Sequence, residues 1–241
     1  MSLKEPDSWQ QARQQAKSQN AQPLGRIGDL FSQQFRSRTI VGVLLAAIGL
    51  ATFWGVHIYG KNVMKNAAQA EQLEEADQRA PENELKYYEM IGMLCATTGA
   101  GLGLLAFGPI CQRYGRRPAF AFYHVIAVII SLVVFLGNFS TTALYPLLVI
   151  FGFFTVGMHA GYAIYFPELY PTRMRGTGTG FCFNAGRIIA APILVLTGTM
   201  QSRWELSQIQ VGAYLSGLFL LALIVLAFAP ETKDVVEGEL I

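Results

Sequence analysis

The chain alternates long apolar blocks with short polar stretches, and the block length is its first informative feature. A helix rises about 1.5 Å per residue, so crossing a hydrocarbon core about 30 Å thick takes roughly 20 mainly apolar residues. Six blocks meet that length: Thr39 to Tyr59, Met90 to Ile110, Ala119 to Gly137, Ala143 to Phe166, Thr177 to Thr199 and Ile209 to Ala229. The runs are continuous instead of alternating at every second residue, which argues against barrel strands. The pattern predicts an all-α, polytopic membrane protein with six transmembrane helices. Residues 1–38 form a polar lead, 39–229 the transmembrane bundle and 230–241 a short tail.

Polar residues refine this picture. Of the 18 basic residues, only Lys61, Lys65, Arg79, Lys86 and Arg203 fall in the loops opposite the N-terminus. The others fall on the N-terminal side, except Arg187, which lies inside a span. Cytoplasmic loops carry the Lys and Arg excess, so both termini are expected in the cytoplasm. Trp54, Tyr59, Tyr87, Tyr88, Tyr145 and Trp204 mark the outer interface, and Tyr165 and Tyr170 the inner one. The loop from Lys61 to Lys86 carries many acids with helical Ala and Leu spacing, which suggests a helical extension above the membrane.

Composition fits a chain in lipid, with 52% hydrophobic and 14% charged residues, against roughly 25% charged in a soluble domain. A net charge of +2 without a basic stripe gives no basis for nucleic-acid binding. Cys95, Cys111 and Cys182 have no metal-ligand spacing and read as packing residues, so neither a metal nor a cofactor is expected. The Gln-rich first 38 residues lack the basic-then-apolar pattern of a signal peptide, which leaves insertion to the first internal helix. Gly99 with Gly103 and Gly157 with Gly161 recur at four-residue spacing and mark faces where helices approach closely.

Arg187 is the strongest candidate for a site. It lies ten residues beyond Thr177, about 15 Å deep, near the middle of the hydrocarbon core. A cation there costs at least ~2.5 to 3.5 kcal/mol on insertion scales, so it must face a wet cavity or a partner. It is suited to attracting an anionic group of a solute, or to a structural bond with carbonyls or an acid elsewhere. Asn184 and Gly186 make a polar, narrow helix face beside it. His159, next to the Gly157 and Gly161 face, reads either as a proton-handling pathway residue or as a hydrogen-bonded interhelical histidine. Trp54 and His57 are one turn apart and are positioned to line a cavity wall; His124 reads as structural. No nucleophile with a base and an orienting acid stands out, which disfavours an enzyme.

Three segments carry a family resemblance. Gly108-Pro109-Ile110-Cys111-Gln112-Arg113-Tyr114-Gly115-Arg116-Arg117 resembles the major facilitator loop motif G-x-x-x-D-R-x-G-R-R in its second-half copy. Gln112 stands where that motif has an acid. Pro167-Glu168-Leu169-Tyr170-Pro171-Thr172-Arg173-Met174-Arg175-Gly176-Thr177-Gly178 is similar to the P-E-L-Y-P-T-x-x-R-x-x-G segment of sugar-porter-like and metabolite-proton symporters. Pro230-Glu231-Thr232-Lys233 resembles the P-E-T-K ending of the same branch.

The resemblance covers nearly the whole chain and implies the C-terminal half of a major facilitator superfamily transporter, with residues 1–38 similar to the loop joining two six-helix halves. It implies alternating-access secondary transport of a small organic solute, sugar-like or an organic or aromatic acid, coupled to protons, in a cytoplasmic (inner) or plasma membrane. It also implies a gating network in which Glu168 and Glu231 pair with Arg113, Arg116, Arg117, Arg173 or Arg175; the same arginines would serve equally to set topology. The partner is a missing N-terminal half, from the same gene, a split gene or a second copy. A non-transporting membrane scaffold or regulatory remnant is the alternative.

Overall fold

A computed structural model of the chain describes Gln10, residues 25–76 and residues 81–234. The expected lead therefore lies outside the described residues up to position 24, apart from Gln10, as does the tail beyond 234. Among the described residues, six helices are long and apolar enough to cross a membrane: α1 (Arg36–Glu74), α2 (Glu82–Tyr114), α3 (Arg116–Leu136), α4 (Thr141–Glu168), α5 (Arg175–Ser202) and α6 (Gln208–Ala227). All six coincide with the apolar blocks of the sequence. Two of them, α1 and α2, extend well beyond their blocks because polar residues with adequate helix propensity continue the spiral into the interface. The stretch Gly60–Ala76 that continues α1 is helical, as the Ala and Leu spacing of this segment predicts.

Local chemistry sets the helix ends. Ser140 caps α4 by accepting from the Ala143 N–H, and Ser207 forms a capping box with Gln210 at the start of α6. Between α2 and α3 the turn is a single residue, Gly115, with φ +102° and ψ 163°. That region is open essentially to glycine alone, which explains a glycine inside the Arg-Tyr-Gly-Arg-Arg loop.

The spans are not uniform. α1 passes through a π-turn at Phe53–His57, where the Ile58 N–H donates to the Phe53 carbonyl. α4 is interrupted at Met158 and α5 at Ala191, just before Pro192. Proline has no N–H to offer the Ile188 carbonyl one turn back, so the spiral loosens there.

Small residues bring the backbones together. A Cβ built on Gly99 of α2 would lie 2.7 Å from the Val149 carbonyl carbon and closer still to its oxygen, and one on Gly152 of α4 would meet Ala96 in the same way. The Gly99 and Gly103 face thus meets α4, with Gly157 against Gly103. Gly186 of α5 sits against Ala46 of α1. Tyr123, Tyr162, Tyr165, Phe107, Phe120 and Phe151 fill the core between α1, α2, α3 and α4. In its most apolar stretch α5 has 17% of its residues buried, against 67% in α1. α5 is the least covered helix of the bundle.

Candidate functional site

Two groups of side chains combine the residues singled out above. The first runs across the membrane level. Gly186 seats α5 on α1, and the next residue, Arg187, points out of the bundle with its guanidinium 5.6 Å from the Phe183 ring centre. No described residue offers Arg187 a carboxylate or a hydrogen-bond acceptor within bonding distance. Phe183 meets Tyr162 of α4 at 6.4 Å, and Tyr162 meets His159 at 5.3 Å. The His159 ring lies 6.1 Å from Phe53 of α1, which in turn stacks on His57 at 5.6 Å and touches Trp54 at 5.4 Å. Rings thus connect Arg187 on α5, through α4, to the π-turn of α1.

The histidines differ in their bonds. His57 is buried and its Nδ1 lies 3.0 Å from the Thr155 hydroxyl, which itself donates to the Phe151 carbonyl. Half-buried His159 faces two carbonyl oxygens, Val156 at 2.9 Å from Nδ1 and Gly49 at 3.2 Å from Nε2. Trp54 is 46% exposed. It stands on the surface while His57 faces the core, so the π-turn separates the two residues that a regular helix would place on one wall. Asn184 is exposed and gives its amide to the Gly180 carbonyl of its own helix. His124 is buried, bonds to the Phe120 carbonyl and reaches this group only through the Phe120 and Tyr162 rings.

The second group closes the face that carries the chain's two described ends. Arg116 forms a two-pronged ion pair with Glu168, Nη2 to Oε1 at 2.6 Å and Nε to Oε2 at 2.9 Å, and the Thr232 hydroxyl also donates to Glu168. Among the described residues, Glu231 pairs with no guanidinium. Its carboxylate takes the backbone N–H groups of Arg116 and Arg117, at 2.9 and 3.0 Å, and those of Thr232 and Lys233. An acid at a helix N-terminus satisfies donors that have no partner within the helix. Partial burial, the largest influence, pushes the Glu231 carboxyl up, but the four N–H groups outweigh it and leave the pKa below the ordinary carboxylate value. Arg117 donates to the Leu226 and Ala227 carbonyls that end α6. Arg113 is exposed, stacks on Tyr114 and contributes its carbonyl to Lys233. Arg175 reaches the Tyr170 carbonyl, and Arg173 lies in the same loop between α4 and α5. Exposed Gln112 brings no charge to the loop; Glu168 and Glu231 supply its carboxylates.

Sequence reasoning had no signal for the Gly49 carbonyl, which belongs to the backbone. Nor did it have one for Phe53, Tyr162 and Phe183, whose aromatic character reads equally well as core or lipid contact.

A bundle of six such helices has the architecture of a polytopic membrane protein. Residues 43–233 match the family model described as sugar (and other) transporter. The chain belongs to the sugar (and other) transporter family, whose members are transporters and not enzymes, and it is an integral, multi-pass membrane protein. It is 30% identical to the cis,cis-muconate transport protein of Acinetobacter baylyi over 78% of this chain and 42% of that one. With the probable 4-methylmuconolactone transporter of Cupriavidus pinatubonensis it shares 29% identity over 55% of this chain and 33% of the relative. An inner membrane metabolite transport protein of Escherichia coli is 25% identical over 86% of this chain and 45% of its own length. The chain thus spans a third to under a half of these relatives' lengths.

Proposed function

We propose that this chain supplies the C-terminal six-helix half of a proton-coupled secondary transporter for a small unsaturated carboxylate, with both termini in the cytoplasm. The observation that carries this reading is Arg187, a guanidinium at mid-span on the least covered helix, stacked on Phe183 and without an anion among the described residues. An ionisable residue at that depth is retained where it serves a pathway. A carboxylate with a planar, conjugated body suits the pair, since the acid meets the guanidinium in bidentate fashion and the π-system meets exposed ring surface. Two relatives whose names specify muconate and 4-methylmuconolactone support this class over sugars. The uncovered face of α5 would meet the complementary half across the solute. The Arg116, Glu168 and Glu231 group would hold the cytoplasmic side closed in one state of an alternating-access cycle, because ion pairs at such a face bias the equilibrium between states.

The test is equilibrium binding of cis,cis-muconate to the full chain assembled with a complementary N-terminal six-helix half in lipid nanodiscs. Arg187→Ala removes a charge-assisted contact worth about 1.5 to 3 kcal/mol, or roughly ten- to a hundredfold in affinity. Arg187→Lys keeps the charge but not the planar fork and recovers part of it. Equal affinity in wild type and Arg187→Ala would overturn the reading, and a chain that inserts but binds no carboxylate would leave the scaffold alternative.

A further inference from the structure

We propose that His159 is a proton-binding group whose protonation ties α4 to the π-turn of α1. The inference deepens the transport reading by assigning its coupling proton to a named atom pair, and for that consequence it rests on that reading. The geometry is specific. Both ring nitrogens of His159 face carbonyl oxygens, Val156 in its own helix and Gly49 in α1. A neutral imidazole carries one N–H and can satisfy one of them, while its bare nitrogen turns a lone pair to the other oxygen. Only the imidazolium donates to both. His57 is the internal contrast: its one bond, to a hydroxyl already committed to donating elsewhere, is complete in the neutral ring with the proton on Nδ1.

The place is also specific. Gly49 lies one turn before the π-turn; its carbonyl accepts from the Phe53 N–H and the Thr52 hydroxyl and stands 3.2 Å from His159 Nε2. His159 lies directly after the interruption of α4 at Met158. The bond therefore joins the two irregular points of neighbouring spans, where backbone is freest to rearrange. Groups that face His159 are His57 from α1 through the Phe53 ring, Tyr162 from α4, Arg187 from α5 through Tyr162 and Phe183, and His124 from α3 across Phe120 and Tyr162. None of these is a carboxylate. A bound anionic solute at Arg187 would provide the missing negative charge and favour the second proton on His159, so that solute and proton load together. The proton comes from solvent on the loading side, occupies the bare ring nitrogen, and returns to solvent when the tie breaks and the solute leaves.

The experiment is nitrogen-15 NMR of the full chain, labelled at histidine and with carbonyl carbon-13 at glycine, in lipid bilayers from about pH 5 to about pH 8. Signals are assigned by their loss in His159→Gln and His57→Gln. The expected result is that His159 passes from a neutral tautomer to a form with two protonated nitrogens as pH falls, that the Gly49 carbonyl signal moves in the same step, and that cis,cis-muconate shifts the step to higher pH. His57 keeps a single neutral tautomer. A His159 that stays neutral throughout, or that titrates without moving Gly49, overturns the proposal. The wild-type spectrum decides even if a variant fails to fold, because His159 is the histidine whose ring nitrogen lies beside a glycine carbonyl, and a nitrogen-15 to carbon-13 dipolar contact identifies both signals. Because the titration needs no solute, its failure leaves carboxylate recognition by Arg187 standing, whereas loss of muconate binding in the nanodisc assay sinks the transport reading independently.

Discussion

Replacing Gly99 with alanine adds one methyl group where α2 and α4 touch through their backbones. The new Cβ would stand 2.7 Å from the Val149 carbonyl carbon and 2.9 Å from the Val149 Cα, whereas ordinary contact begins at 3.4 Å. Nothing flexible lies in the way, since the obstructing atoms are main chain. The helices must separate locally by about half an ångström or more, and overpacking of this kind costs typically ~1 to 3 kcal/mol. Gly101, two residues along the same helix, has nothing within 4 Å of its built Cβ. Alanine there should be neutral or stabilising by up to about 1 kcal/mol, from helix propensity alone. The two variants should therefore differ by roughly 1 to 4 kcal/mol in unfolding free energy, measured by steric trapping in bicelles. Gly152→Ala should resemble Gly99→Ala, and the double variant should cost less than the sum because the first methyl has already separated the helices. If Gly99→Ala is as benign as Gly101→Ala, the backbones are not in contact and the α2 and α4 packing described above is wrong.

Glu168→Gln should destabilise the bundle by about 1 to 3 kcal/mol, because it leaves the partly buried Arg116 guanidinium without its two-pronged anion; thermal unfolding in mild detergent reads this out. Glu231 has a lowered pKa, so its contribution to stability is complete above the unfolded carboxylate value, near 4.3, and is lost as pH falls through the lower folded value. Acid unfolding curves should accordingly flatten in Glu231→Gln relative to wild type in that acidic window, and parallel curves would show that the α3 cap does not form. Gly115→Ala should cost about 1 to 3 kcal/mol for its φ of +102° and should also crowd the Glu231 carboxylate, so that combining it with Glu231→Gln is less than additive in the same thermal assay.

The six spans could be read from the sequence because lipid imposes one requirement on all of them, an apolar run long enough to cross. Arg187 was legible for the converse reason, since a lone cation in such a run has no inexpensive explanation. The close approach at Gly99 and Gly103 followed from residue size, although the opposing Gly152 did not stand out among the bulky residues around it. Glu231 was expected to meet a guanidinium and instead binds the backbone of α3. Charge complementarity suggests side-chain partners, while the N–H groups at a helix start leave no mark on composition. Trp54 and His57 illustrate a different gap. Their three-residue separation implies one helix face, and the π-turn that places one outside and the other inside depends on how α1 packs against α4.

The account rests most heavily on Arg187 as the receiver of a solute carboxylate. The most direct test is uptake of radiolabelled cis,cis-muconate into cells expressing the chain together with a complementary N-terminal six-helix half, with wild type, Arg187→Lys and Arg187→Ala compared at equal membrane abundance and with muconate dimethyl ester as competitor. The account predicts uptake by wild type, reduced uptake with lysine, loss with alanine, and no competition by the uncharged ester. Uptake by Arg187→Ala equal to wild type, or an ester that competes as well as the acid, would contradict it.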